Sequence, residues 1–390
     1  MKSQFLRTAG VPAGCSVRTI DRFHALRNPS TVRTYLRTGR SAVRETLSLR
    51  RTRFYCHLSS FDMETTKAML DRLIEDGVAS PEALLEPLRG GVSSEIYLVT
   101  DRENRFVVKR ALEKLNVAQE WYADVSRNQS EFDYIEYVSR FAPDSVPVLK
   151  KKGTGYFTME YLGMEYSNWK TLLLNGVWQE AHARMAGALL ASVHTTSRGD
   201  PEAEKHFDNA HNFWELRLEP YLMATGARHL DLEALFRAEA TRLADRRECL
   251  VHGDFSPKNI LISGGRLVAL DCEVANYGDP VFDYCFLLTH LLLKARWHAS
   301  KGQPLRPLVE AFIGAYQNGA LLSDVQARRY SKDGGQLLAM LLLARVDGKS
   351  PVEYFNDEGP KDFVRTFVYR ALREGECTVE SLVEKWFATL

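Results

Sequence analysis

The sequence predicts an α+β protein of two lobes: a small lobe with an antiparallel sheet plus a helix, followed by a large, mostly helical lobe. Three observations lead there. Short apolar runs separated by glycine turns crowd residues 88–109 and 148–161. Segments of helical periodicity fill most of the chain after Trp178. The 390 residues, 45% hydrophobic and 26% charged, suffice for a large core under an ordinary globular surface. That composition excludes a collagen-like, coiled-coil or wholly disordered chain. No apolar run reaches the roughly eighteen residues that a bilayer span requires.

The net charge of +1 hides two unlike pieces. Residues 1–60 carry Lys2 and eleven arginines against only Asp21 and Glu45, and the remaining 39 basic and 48 acidic residues leave the rest of the chain at −9. The first stretch holds fourteen Ser/Thr and no long apolar run, the composition of an organellar transit peptide rather than a secretory signal. Arg33, Arg37, Arg40 and Arg44 recur at helical spacing beside Val32, Leu36, Val43 and Leu47, a basic amphipathic pattern. Arg53-Phe54-Tyr55-Cys56 resembles the arginine-led cleavage sites of mitochondrial matrix import. Residues 1–62 therefore read as a basic presequence or a disordered arm. The expected location is the mitochondrial matrix in the first case and the cytoplasm in the second. Arginines alone attract phosphate without reading sequence, and no RNA-binding or helix-turn-helix signature follows, so no specific nucleic-acid partner is expected. The six cysteines form no CxxC pair and no zinc-finger spacing, which favours a reducing compartment over a disulfide framework.

The small lobe is expected over 63–162. Met69, Leu70, Leu73 and Ile74 share one helical face in a helix over 63–76 that stops at Gly77. Leu88, the turn Gly90-Gly91-Val92-Ser93-Ser94, Ile96-Tyr97-Leu98-Val99, a polar turn and Phe106-Val107-Val108-Lys109 then read as strand, turn, strand, turn, strand. Paired glycines let backbone N–H groups approach a phosphate, and Ser93 and Ser94 add hydroxyl donors. By itself such a turn is more often only a hairpin. Lys109 ends an apolar strand, from which its ammonium reaches inward to a diphosphate or outward to water. A phosphate-holding lysine usually has a carboxylate to hold it in turn; Glu131, on the helix over 129–141, is the first candidate and Glu136 the reserve. A hairpin over 148–161 ends in Met159-Glu160-Tyr161-Leu162, the connector to the second lobe. Glu160 and Tyr161 there join Gly90, Gly91, Ser93 and Ser94 as nucleotide-binding candidates.

The second lobe, 163–390, contains the most informative segment. In Leu250-Val251-His252-Gly253-Asp254-Phe255-Ser256-Pro257-Lys258-Asn259-Ile260-Leu261-Ile262, two short strands flank an irregular loop that Pro257 keeps from turning helical. After Gly264-Gly265 a third strand, Leu267 to Leu270, delivers Asp271-Cys272-Glu273. Transferring the terminal phosphoryl group of ATP requires an orienter or base for the acceptor hydroxyl, oxygen ligands for magnesium and positive charge on the phosphates. Asp254, Asn259, Asp271 and Lys109 supply those roles, and the joint spacing is rare by chance.

With these residues, HGDxxxxN followed by an apolar strand ending in DxE, the sequence resembles the aminoglycoside phosphotransferase and choline kinase family, small-molecule kinases with a protein-kinase-like fold. HGDxxxxN stands where protein kinases have HRDxxxxN, with Gly253 in place of arginine. The resemblance implies that Asp254 is the catalytic aspartate, that Asn259 and Asp271 bind Mg2+, and that Lys109 contacts the ATP phosphates. Asp271-Cys272-Glu273 is also similar to the DPE of methylthioribose kinases, which adds Glu273 to the metal shell. Gly278 to Asp283 matches the family's stretch after the metal aspartate, where Asp279 and Asp283 brace the loop and cap a helix. His252 likewise resembles a bracing histidine rather than a base. The glycine turn departs from the protein-kinase GxGxxG, which leaves its phosphate contacts open. No APE-like segment follows Asp271, which disfavours a protein acceptor.

Helices are expected over 178–196, 230–244, 281–297, 305–319, 336–346, 361–374 and 379–389. They would build the acceptor pocket, with Arg296, Trp297 and Arg345 as substrate candidates, Asp347 and Lys349 beside them, and a salt-bridged surface as the plainer alternative. The −9 charge suits an amine-bearing hydroxyl acceptor slightly better than a phosphorylated one. The reading is an ATP-dependent phosphotransferase acting on a small-molecule hydroxyl; its competitor is a non-catalytic nucleotide-binding scaffold of the same fold.

Overall fold

The structure, a computed structural model, describes residues 63–88, 94–112, 126–299, 305–375 and 377–390. These belong to one compact unit, Ser60–Leu390. The unit Met1–Ser59, with the amphipathic helix expected in it, lies outside the described residues, as do Gly90, Gly91 and Ser93.

The small lobe opens with α1 (Met63–Glu75). Its sheet comprises β1 (Leu84–Pro87), β2 (Ser94–Asp101), β3 (Asn104–Ala111), β4 (Leu149–Gly153) and β5 (Tyr156–Glu160), all antiparallel, in the order β1-β2-β3-β5-β4. Central β3 pairs Val108 with Tyr97 on one side and with Thr158 on the other. The two-residue period of a strand divides its apolar run between two cores. Phe106 and Val108 join Met69, Leu73 and Tyr156 in a small cluster under α1, while Val107 packs into the main core with Tyr134 and Val138 of α2 (Arg127–Ser139). Lys109 has the parity of Val107, so its ammonium enters the protein on the α2 side and is buried.

The large lobe begins with the short β6 (Ser167–Asn168) and α3 (Trp169–Leu174), then α4 (Glu180–Ser197). Residues 201–226, which show no clear period in sequence, form α5 (Pro201–His206), α6 (Ala210–Phe213), a π-helical stretch Trp214–Met223 and α7 (Ala224–Gly226). Pro220 lies inside the π-helical stretch. A proline there has no N–H to place in a regular ladder, and the wider turn accommodates it. After α8 (Glu233–Asp245) come the hairpins: β8 (Ile260–Ser263) pairs with β9 (Arg266–Ala269) and with β6, and β7 (Cys249–Val251) pairs with β10 (Asn276–Gly278).

Behind them, α9 (Val281–Ala299) is buried on nearly every side, as its all-round apolar sequence requires. It is followed by α10 (Arg306–Gly319), α11 (Asp324–Asp347), α12 (Glu358–Arg373) and α13 (Val379–Thr389). The helix expected from Gln336 starts twelve residues earlier, at Asp324, where Ser323 and Gln326 make a reciprocal capping box. It runs straight through Gly334-Gly335. A Cβ on Gly335 would lie 2.1 Å from the Cys377 carbonyl oxygen, so glycine serves there to admit the 377–378 backbone rather than to end a helix. Among the described residues no helix is long and apolar enough to cross a membrane.

Leu73 is fully buried between α1 and the sheet. Leu73→Ala is expected to destabilise the protein by about 2–5 kcal/mol, read as a lower urea midpoint.

Candidate active site

The site starts from one lysine. Lys109 Nζ lies 2.6 Å from Glu131 Oε2 of α2 and 2.7 Å from Asp271 Oδ1, just after β9. Burial works against the Lys109 charge, but Asp271, Glu131 and Glu273 outweigh it and hold the ammonium above its ordinary pKa. Burial likewise pushes the Glu131 carboxyl up while Lys109 pulls it down. Asp271 is also opposed by burial, yet Lys109 and Lys258 carry its carboxyl below the usual range. Its backbone has φ 62°, the left-handed region that aspartate tolerates better than most residues and that aims the side chain off the end of its strand. Glu136, the reserve partner, is exposed.

The HGD loop is held by backbone contacts to Asp283 at the start of α9. Asp283 accepts hydrogen bonds from the His252 N–H at 2.6 Å and the Gly253 N–H at 2.9 Å. Gly253 has φ 77°, and a Cβ there would meet the Val274 carbonyl oxygen at 2.8 Å, so the loop excludes any other residue at this position. His252 is fully buried, which pushes its pKa down, and its Nδ1 accepts from the Asp254 N–H at 3.2 Å. It braces the loop. Asp279 accepts from the Val281 N–H at 3.0 Å and pairs with Arg242, so both aspartates after the hairpins hold structure together, as the resemblance implies.

Asp254, 3% exposed, turns Oδ2 toward two cations, Arg217 Nη2 at 3.0 Å and Lys258 Nζ at 3.0 Å. Its Oδ1 is buried with no hydrogen-bond partner among the described residues. Asn259 donates from Nδ2 to the Asp254 carbonyl at 3.1 Å, and its own carbonyl accepts from the Leu270 N–H at 2.8 Å, tying the loop to the strand that carries Asp271.

Neither Arg217 nor Lys258 was singled out from sequence. Lys258 stands inside the HGDxxxxN spacing, four residues after Asp254, and that offset is its signal. Arg217 comes from the π-helical stretch and carries no local signal at all.

Magnesium takes hard oxygen ligands, commonly one or two carboxylates plus phosphates. Two of the three residues expected to hold it fit. The Asn259 hydrogen bond fixes its amide with the nitrogen inward, leaving Oδ1 as a ligand; Asp271 is 30% exposed, and only its Oδ1 engages Lys109. Glu273 instead lies 3.1 Å from Arg127 Nε of α2, because a fully buried guanidinium beside it demands a counter-charge. Among the described residues no three His, Cys, Asp or Glu side chains form a ready metal cage.

The remaining candidates divide. Ser94 is buried in β2 with no partner for its hydroxyl among the described residues. Glu160 pairs with Arg266 at 2.8 Å, joining β5 to β9, and Tyr161 lies under the Arg105 guanidinium at 4.4 Å. Arg345 is buried and donates to the Tyr221 hydroxyl at 3.2 Å, and Trp297 packs on Tyr354. Arg296 stacks on Phe363 of α12, among the C-terminal helices. Asp347 and Lys349 form ion pairs with Arg365 and Glu219, which is the plainer reading for both.

Residues 84–330 match the phosphotransferase enzyme family, and the chain belongs to it. It is 24% identical over 248 residues to methylthioribose kinase of Pectobacterium carotovorum subsp. carotovorum (strain PC1), an alignment covering 56% of this chain and 62% of that protein. The same enzyme of Yersinia pseudotuberculosis serotype O:1b (strain IP 31758) is 24% identical, with 55% and 61% covered. The chain thus spans about three fifths of the length of the curated relatives it matches. An amicoumacin kinase solved in complex with AMP-PNP, Ca2+ and Ami shares the fold, with a TM-score of 0.52, 15% identity, and 81% of this chain and 97% of that one covered. The fold is the bilobal protein-kinase-like one expected from the sequence.

Because Asp283 carries two backbone N–H groups of the HGD loop, Asp283→Ala is expected to cost about 3–5 kcal/mol and to speed amide exchange at His252 and Gly253. Chemical denaturation and hydrogen exchange measure both.

Proposed function

We propose that the protein transfers the terminal phosphoryl group of Mg-ATP to a hydroxyl of a small molecule, giving a phosphate ester and ADP. The observation that carries this reading is the meeting of Lys109, Glu131 and Asp271 between the two lobes, with Asp254 and Asn259 on the adjoining loop. Lys109 holds the phosphates and Glu131 holds Lys109. Asn259 and Asp271 supply the oxygens for a magnesium ion, whose chemistry there is neutralisation of phosphate charge. The acceptor hydroxyl donates to Asp254 Oδ1, the buried oxygen without a partner. As its oxygen bonds to the γ-phosphorus, the bond from phosphorus to the β,γ-bridging oxygen breaks, ADP leaves, and the hydroxyl proton passes to Asp254. Arg217 and Lys258 fix the carboxylate by its other oxygen. Glu273, through Arg127, steadies the helix that carries Glu131. The partnerless Oδ1 favours this reading over a non-catalytic scaffold, in which nothing would keep that atom unpaired.

Residues 1–62 would act as a matrix-targeting presequence and the described lobes as the working enzyme. A fluorescent fusion of the full chain should enter mitochondria and one lacking residues 1–62 should stay in the cytosol; cytosolic signal from both contradicts the address.

Asp254→Asn keeps the shape of the side chain and removes the proton acceptor. Acceptor-dependent ADP release should fall by about 10²–10⁴ while the thermal shift with Mg-ATP persists. Full turnover in the variant would contradict the role.

A further inference from the structure

Beyond Asp254 lies a group of cations that phosphoryl transfer leaves unassigned. Tyr221, one turn after Arg217, accepts a hydrogen bond from Arg345 Nη1 of α11 at 3.2 Å. The Tyr221 ring packs 5.4 Å from Phe286, and Phe286 packs 5.2 Å from His290, both on α9. One turn further on α9, Lys294 Nζ reaches the His290 carbonyl at 3.4 Å and lies 5.3 Å from the Tyr354 ring. The same cluster thus extends from the catalytic loop through the π-helical stretch to α9 and α11.

Its charge is not balanced from within. Lys294 is 1% exposed and Arg345 is 8% exposed, and neither forms an ion pair among the described residues. Arg345 Nη1 also donates to the Ser350 carbonyl and hydroxyl, but Arg345 Nε and the Tyr354 hydroxyl are buried with no hydrogen-bond partner among the described residues. Glu353, engaged by Lys170, also faces Lys294 and Arg345, one negative charge against three positive ones. Burial, with Arg345 and Lys170 close by, pushes the Lys294 ammonium down to about 7. Burial also pushes His290 down, aided by Arg345, Lys294 and Lys258. A buried lysine answers the lack of a counter-ion by giving up its proton, whereas a guanidinium keeps its charge; an anion would satisfy both, and an amine would only add to the excess.

We infer that the acceptor is an anion, a hydroxylated small molecule whose carboxylate or phosphate group docks on Lys294 and Arg345 while its hydroxyl meets Asp254. The inference rests on the phosphotransferase reading of Asp254. It reverses the amine-bearing acceptor suggested by the −9 charge outside residues 1–60, because that charge is spread over the whole folded part and the local sign here is positive.

Four six-carbon probes that differ only in their end group test this: 6-hydroxyhexanoate, 6-hydroxyhexyl phosphate, 1,6-hexanediol and 6-aminohexan-1-ol. With the full chain saturated by Mg-AMP-PNP, so that the Lys109 site is filled, one or both anionic probes should raise Tm by about a further 3–5 °C at a hundred times Kd, and the diol and amine should not. Whichever anion responds identifies the acid group. Lys294→Met and Arg345→Gln should each remove that further rise and keep the nucleotide rise. With Mg-ATP they should increase KM for the anionic probe about tenfold or more, with kcat nearly unchanged. A larger rise or faster turnover with the amine, no rise with either anion, or an anion rise that survives both substitutions overturns the inference. Anion binding without any ADP release would keep the cationic pocket and overturn the transfer reaction; ADP release with the amine alone would do the reverse.

Discussion

The structure depends on one buried ammonium. Lys109 sits in the middle strand of the small-lobe sheet and, among the described residues, is satisfied by two carboxylates that the chain brings from elsewhere, Glu131 on α2 and Asp271 beyond β9. Removing one partner from such a pair leaves a charge stranded out of water, at a cost of about 3–5 kcal/mol. The requirement therefore fixes the helix against the sheet and the large-lobe hairpin against both. Arg127, one helical turn before Glu131, pairs with Glu273 and so joins α2 to the large-lobe hairpin directly.

From that contact the rest of the site follows by short links. Asn259 ties the Asp271 strand to the HGD loop, Asp283 ties the loop to α9, and Gly253 provides the only backbone that fits against Val274. These links leave one oxygen of Asp254 held by two cations and the other without a partner among the described residues, an arrangement suited to taking a hydroxyl proton. They also set α9 so that its later turns carry His290 and Lys294 away from the loop and toward Arg345. In the proposed reaction, phosphate chemistry and acceptor recognition would share one helix as their frame.

Much of this was legible in the sequence because local chemistry announces it. The alternating strand ending in Lys109 and the HGDxxxxN spacing act through neighbours close in the chain or through a fixed strand parity, and the Asp279 and Asp283 pair was legible through the family resemblance. The parts that were not legible depend on distant packing. Arg217 reaches Asp254 from a π-helical stretch around Pro220, where neither helical nor strand period survives. Glu273, expected in the metal shell, pairs with Arg127, a partner 146 residues earlier. Gly334-Gly335 looks like a helix end, and only the Cys377 backbone pressed against it explains an uninterrupted α11. The sign of the charge beyond Asp254 was hidden for the same reason, since a sum over the chain says nothing of which side chains meet.

The most direct test of the central claim is a crystal structure of the full chain with Mg-AMP-PNP. The account predicts phosphate oxygens about 3 Å from Lys109 Nζ, Glu131 still on the lysine, and the ion held by Asn259 and Asp271. A nucleotide bound elsewhere, with Lys109 still locked between Glu131 and Asp271, would contradict it.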